Sequence, residues 1–177
     1  MSSPTRTRCG QRLLLAALAL VIAGCGDKGT DPQTPPASNV AVDVARRATA
    51  TVGTSGGTVA TTSSAGVTCT LSIPAGALPG EVEIAMAPVV SMRDFPLPGE
   101  VIAAVNLEPS GLRLLKPAVL TIGMAAALSD SQVLVGFSYE GDAASVEPTG
   151  AIATGGSIQV LVGHFSGAGA ARFDGAE

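Results

Sequence analysis

Apolar and polar residues alternate in short runs along most of the chain after residue 40. Val67, Cys69, Leu71 and Ile73 alternate with Thr68, Thr70 and Ser72. Val82, Ile84 and Met86 alternate with Glu81, Glu83 and Ala85, and Val101, Ala103, Val105 and Leu107 continue the pattern. Further sets are Ala118, Leu120 and Ile122, then Val133, Val135, Phe137 and Tyr139, then Ile158, Val160 and Val162. A period of two gives each strand one dry face and one wet face. Gly and Pro clusters separate the runs at Ser55-Gly56-Gly57, Leu78-Pro79-Gly80, Pro96-Leu97-Pro98-Gly99, Pro109-Ser110-Gly111 and Gly155-Gly156. Many short strands with turn signals between them predict an all-β protein, a single antiparallel β-sandwich over residues 40–177. One short segment, Met124 to Leu128, is apolar and Ala-rich and reads as helical.

The first 24 residues follow a different rule. Arg6, Arg8 and Arg12 precede an unbroken apolar run from Leu13 to Ala23. A spanning helix needs about 20 apolar residues, so this run is too short for one, and it has the length of a signal-peptide core. Ile22-Ala23-Gly24-Cys25 closes it and resembles the lipobox of bacterial lipoproteins. That resemblance implies cleavage before Cys25 and lipid on its thiol, with the two or more acyl chains that stable anchoring requires. Gly26, where a retention Asp stands in inner-membrane lipoproteins, implies an outer-membrane address in a bacterial envelope. Gly26 to Asn39 is rich in Pro, Gly, Thr and Ser and reads as a tether between lipid and domain.

Composition narrows the chemistry. Removing residues 1–24 takes three Arg and no acid, which leaves about seven net negative charges. With no basic cluster, the chain has no electrostatic footprint for nucleic acid. Cys9 leaves with the leader and Cys25 is lipidated, so Cys69 is the remaining thiol and there is no disulfide framework. Aromatics make up 3% of the residues, so Val, Ile, Leu and Ala must build the core.

Several pieces of sequence then fall in a recognisable order. Gly56-Gly57-Thr58-Val59 leads to Leu71-Ser72-Ile73-Pro74-Ala75-Gly76-Ala77-Leu78. Leu107-Glu108-Pro109-Ser110-Gly111-Leu112 runs on to Lys116-Pro117-Ala118-Val119-Leu120-Thr121-Ile122, and His164-Phe165-Ser166 comes near the end. This order resembles the ZU-five domain of zonula occludens proteins, Unc-five netrin receptors and ankyrins, over about residues 48–172. The resemblance implies a β-sandwich that mediates interactions. One departure stands out: the family's last strand carries Tyr and Val, whereas Gly167 to Ala171 is Gly and Ala only.

Some proteins with this domain cut their own backbone within a His-Phe-Ser motif. On this chain Ser166 Oγ would attack the Phe165 carbonyl, with His164 taking the proton. Gly53-Thr54-Ser55-Gly56-Gly57 also matches the G-x-S-x-G pattern of a nucleophile elbow, which has meaning only on a strand–turn–helix. One His and one free Cys do not fill a zinc site, and Asp130 and Asp142 lack the spacing of a calcium loop. Cys69 falls on the dry phase of its strand, Glu81 and Glu83 share the wet one, and Arg46 and Arg47 read as a solvated edge. The expectation is a non-catalytic interaction or structural module. It would be lipid-anchored through Cys25, use no cofactor or metal, and meet an unknown protein or envelope partner. The alternatives are a self-processing module and a peptide- or glycan-binding surface domain. With no Trp and one Tyr to stack on sugar rings, the glycan version is the poorer fit.

Overall fold

Alternation of Val, Ile and Leu with Thr and Ser becomes a two-layer β-sandwich in the computed structural model, which describes residues 39–123 and 132–174. The leader, the tether up to Ser38, and Met124–Leu128 lie outside the described residues. The strands are β1 (Val40–Val42), β2 (Ala48–Val52), β3 (Gly57–Thr62), β4 (Thr68–Ile73), β5 (Val82–Met92) and β6 (Glu100–Glu108). Then come β7 (Arg113–Gly123), β8 (Gln132–Tyr139), β9 (Val146–Thr149), β10 (Ala151–Thr154), β11 (Ser157–His164) and β12 (Gly167–Asp174). One layer has the order β1-β5-β6-β12-β8-β9, with β2 also paired to β5, and the other has β10-β11-β7-β4-β3. Every pairing is antiparallel.

The chain crosses between layers at several tight places. β2 passes to β3 through a turn closed by a bridge between Gly53 and Gly56. Gly56 has φ +78°, and a Cβ there would lie 2.4 Å from the Ile73 carbonyl oxygen, so only glycine lets this turn rest on the Ile73-Pro74-Ala75 loop. β9 passes to β10 through Gly150 alone, and β11 passes to β12 through Phe165 and Ser166.

The main core lies between the layers. Leu71, Ile84, Val105, Leu107, Leu120, Ile122, Ile158 and Val160 meet there at 1% exposure or less. Each comes from the dry phase read in the sequence. Burying one such side chain stabilises the fold by about 1.5–3 kcal/mol, which is how a chain poor in aromatics holds together. Ala77 and Leu78 of the Pro74–Leu78 loop plug one end, where Leu115 N–H donates to the Ala77 carbonyl at 2.9 Å.

A second apolar cluster covers the far face of the larger layer. Val40, Ala104, Phe137, Tyr139, Ala143 and Ala171 form it, and the Phe95 ring packs 5.0 Å from that of Phe137. β8 therefore departs from the simple reading. Its Phe137 and Tyr139 serve this outer cluster, while Leu134 packs against the main core.

The Gly and Ala tail is β12, a fully paired inner strand between β6 and β8. Ala168 and Ala170 enter the main core. On the other face, Phe137 and Tyr139 lie over the strand. A Cβ on Gly167 would sit 1.9 Å from Tyr139 Cζ, and one on Gly169 would sit 2.7 Å from Phe137 Cζ. The tail lacks bulk because rings from the neighbouring strand occupy that space.

Candidate functional site

The His-Phe-Ser corner is built by a loss of register. β11 and β7 pair regularly from Ser157–Gly123 to Val162–Ala118, and then His164 pairs with Arg113. The extra residues on β7 include Pro117, whose missing N–H suits a break in the ladder. In this stretch Lys116 Nζ donates to the Ala75 carbonyl at 2.9 Å. The shift changes the alternation of β11, so Phe165 turns fully into the main core and His164 stays half-buried.

Three backbone hydrogen bonds fix the corner to the turn at residues 107–112. Phe165 N–H donates to the Leu112 carbonyl at 2.8 Å. Gly111 N–H donates to the Phe165 carbonyl at 2.7 Å, and Leu107 N–H donates to the Ser166 carbonyl at 2.7 Å. The Pro-Ser-Gly-Leu turn and the His-Phe-Ser corner, separate in sequence, are thus one joint. Ser166 is 6% exposed, and its Oγ has no hydrogen-bond partner among the described residues. His164 is consequently not bonded to it. None of residues 164–166 has a positive φ, so this backbone carries no left-handed strain.

Beside the corner, a cleft of about 330 Å³ opens at the end of the sandwich. Arg113, Ser138, Glu140, Ser145, Glu147 and His164 line it, together with Gly111 and Tyr139. Its charges are mixed, two carboxylates facing a guanidinium and an imidazole. Arg113, Glu140 and Glu147 are exposed, and His164 is half-buried. Burial raises the Tyr139 phenol well above its usual range, and its hydroxyl donates to the Val105 carbonyl at 3.5 Å.

The other candidate residues are placed apart. Gly53-Thr54-Ser55-Gly56-Gly57 joins two strands, so the context a nucleophile elbow requires is missing. Cys69 is 2% exposed and burial pushes its thiol up to about 11, which suppresses the reactive thiolate. It sits at the floor of an apolar groove of about 460 Å³ at the other end of the sandwich, with Val67, Met92 and Phe95. Glu81 and Glu83 are exposed. Arg46 and Arg47 are surface residues held in ion pairs with Asp43 and Glu108. Asp142 accepts a turn hydrogen bond from Ala144 N–H. Among the described residues no three His, Cys, Asp or Glu side chains converge as metal ligands. Asp130, Cys25 and Ile22-Ala23-Gly24 lie outside the described residues.

Sequence reading missed two features of this region, the Gly111 N–H on the Phe165 carbonyl and the mixed-charge cleft. Arg113, Glu140, Glu147 and His164 come from separate elements, so no local motif announces the cleft. The Pro-Ser-Gly-Leu turn was visible in the sequence, but its pairing with residues 165 and 166 is a tertiary contact.

A family model of the ZU5 domain matches residues 48–137, half of the chain, from β2 into β8. The matched span ends before the His-Phe-Ser corner. No curated protein matches the chain.

Proposed function

Because the chain belongs to the ZU5 domain family, whose fold is a β-sandwich protein-interaction module, we propose that it displays this module, without catalysis, at a bacterial cell envelope. The anchor in this reading is lipid on Cys25, with an outer-membrane address. The observation that carries the anchor is the register of Ile22-Ala23-Gly24-Cys25 with the apolar run before it. The chain's negative charge gives no attraction to anionic lipid, so covalent lipid must supply the anchoring energy. Labelling with a tagged fatty acid tests this. The parent chain should take up label and fractionate with membranes, and Cys25→Ser should lose both. Equal labelling of the variant overturns the anchor.

A self-processing reading has its own support in the corner. Ser166 Oγ is buried without a partner among the described residues, and Gly111 N–H already polarises the Phe165 carbonyl. In that reaction the serine oxygen bonds to the carbonyl carbon and the C–N bond breaks. His164 passes the hydroxyl proton to the departing amine, and water then splits the ester. The separation of His164 from Ser166 and the unstrained backbone weigh against it. Intact mass of the chain beside Ser166→Ala separates the two readings.

A further inference from the structure

A sheet edge exposes a row of unpaired N–H and C=O groups, and folded chains blunt such edges with charge, proline or brevity. Most edges of this sandwich are blunted. β9 carries Glu147 and Pro148, and β1 is three residues long and stops just before Asp43. β10 is four residues long and stops at Gly155-Gly156. β3 is the longest edge free of both charge and proline; β2 lacks them too but is five residues long. β3 runs for six residues, Gly-Thr-Val-Ala-Thr-Thr, with no charge and no proline, and it pairs with β4 on one side only. Among the described residues no backbone hydrogen bond closes its other side. Thr58, Ala60 and Thr62 face solvent, and Val59 and Thr61 face inward.

The sequence of this edge is complementary to itself. In antiparallel pairing about a two-fold axis through Ala60, Thr58 stands opposite Thr62 and Val59 opposite Thr61. The smallest side chain meets its own copy on the axis. Residues opposite each other point to the same face, so dry faces dry and wet faces wet. Thr–Thr pairs across strands are favourable, and no like charges are brought together. A C2 contact of this kind needs only one surface used twice.

We propose that β3 is a self-association edge, pairing with β3 of a second copy to join the two five-stranded layers into one continuous sheet. This names a partner for the interaction-module reading, on which it rests. Where both copies are anchored in one membrane, confinement raises their effective concentration and favours a modest edge contact.

The test is disulfide trapping in the full chain, in detergent, under mild oxidation. Cα atoms opposite each other on the axis lie about 4.5–5.5 Å apart, within disulfide reach. Ala60→Cys should give a cross-linked dimer about tenfold or more above both the parent chain and Ile152→Cys, an exposed position on β10. Thr58→Cys mixed with Thr62→Cys should cross-link better than either alone, which fixes the register. Ala60→Lys, with its β-sheet circular dichroism intact, should lower the dimer fraction in sedimentation. Dimer from Ala60→Cys no greater than from Ile152→Cys overturns the proposal, as does a parent chain that sediments as a monomer at all concentrations. Either failure removes self-pairing alone. The interaction-module reading fails separately, if envelope proteins captured on the parent chain are captured equally on a heat-denatured control.

Discussion

β11 and β12 are neighbours in the chain and opposites in construction. β11 supplies bulk. Its Ile158, Val160 and Val162 alternate with Gln159, Leu161 and Gly163, and the first set fills the main core. β12 supplies room. Gly167, Ala168, Gly169, Ala170 and Ala171 are all buried, although they carry almost no side chain. Rings from β8 cover one face of β12 and the main core covers the other. Hydrophobic volume locates a strand like β11, but it passes over a strand whose task is to leave space for its neighbours.

Substitutions can break this contrast, and the largest effect belongs to the emptier strand. Gly167→Val places branched carbon where the Tyr139 ring lies, and the ring is hemmed in by the outer cluster. The expected result is a chain that does not reach a cooperative fold, seen as a flat denaturation profile. Combining Gly167→Ala with Tyr139→Ala should cost less than the two single losses added together, because the double variant removes the clash. Ile158→Ala on β11 acts by the opposite mechanism, a cavity, and should cost about 2–5 kcal/mol in urea unfolding. If both strands tolerate their substitutions equally, the contrast is wrong.

Alkaline pH sharpens the comparison between the two apolar clusters. Burial raises the Cys69 thiol in the main core from 9.0 to about 11, and it raises the Tyr139 phenol of the outer cluster above 10.0. A raised folded value means the unfolded chain loses its proton first, so stability falls as pH rises. For Cys69 the loss should run from about pH 9 to 11 and total about 2–3 kcal/mol. Tyr139 should add a further loss beginning near pH 10. Cys69→Ala should remove the earlier part of the slope, and Tyr139→Phe the later part. At neutral pH Tyr139→Phe should have the smallest effect of the set, about 0.5 kcal/mol or less, because its hydrogen bond to Val105 is long at 3.5 Å.

Much of the main core was legible because Leu71, Ile84, Leu120 and Val160 keep a strict period of two between Gly and Pro turns. β12 was not legible, because Gly and Ala carry no amphipathic pattern and the rings that bury them belong to another strand. β5 was legible only to Met86 and continues to Met92. The continuation holds Pro88, where pairing passes from β2 to β1 and Asp43 N–H donates to the Pro88 carbonyl. At the candidate site the three residues of the corner were visible. Their meaning as a joint was not, because the Gly111 and Leu107 N–H groups that hold residues 165 and 166 come from a turn more than fifty residues earlier.

That joint is the meeting point of the two strands, and it bears on whether the module acts by binding or by cutting itself. Intact mass of the full chain under denaturing conditions, beside Ser166→Ala, tests this most directly, since a nicked strand would stay paired in the native sheet. The account predicts one uncut polypeptide mass in both samples. A chain end at Phe165 and a new amine at Ser166, present in the parent and absent from the variant, would contradict it.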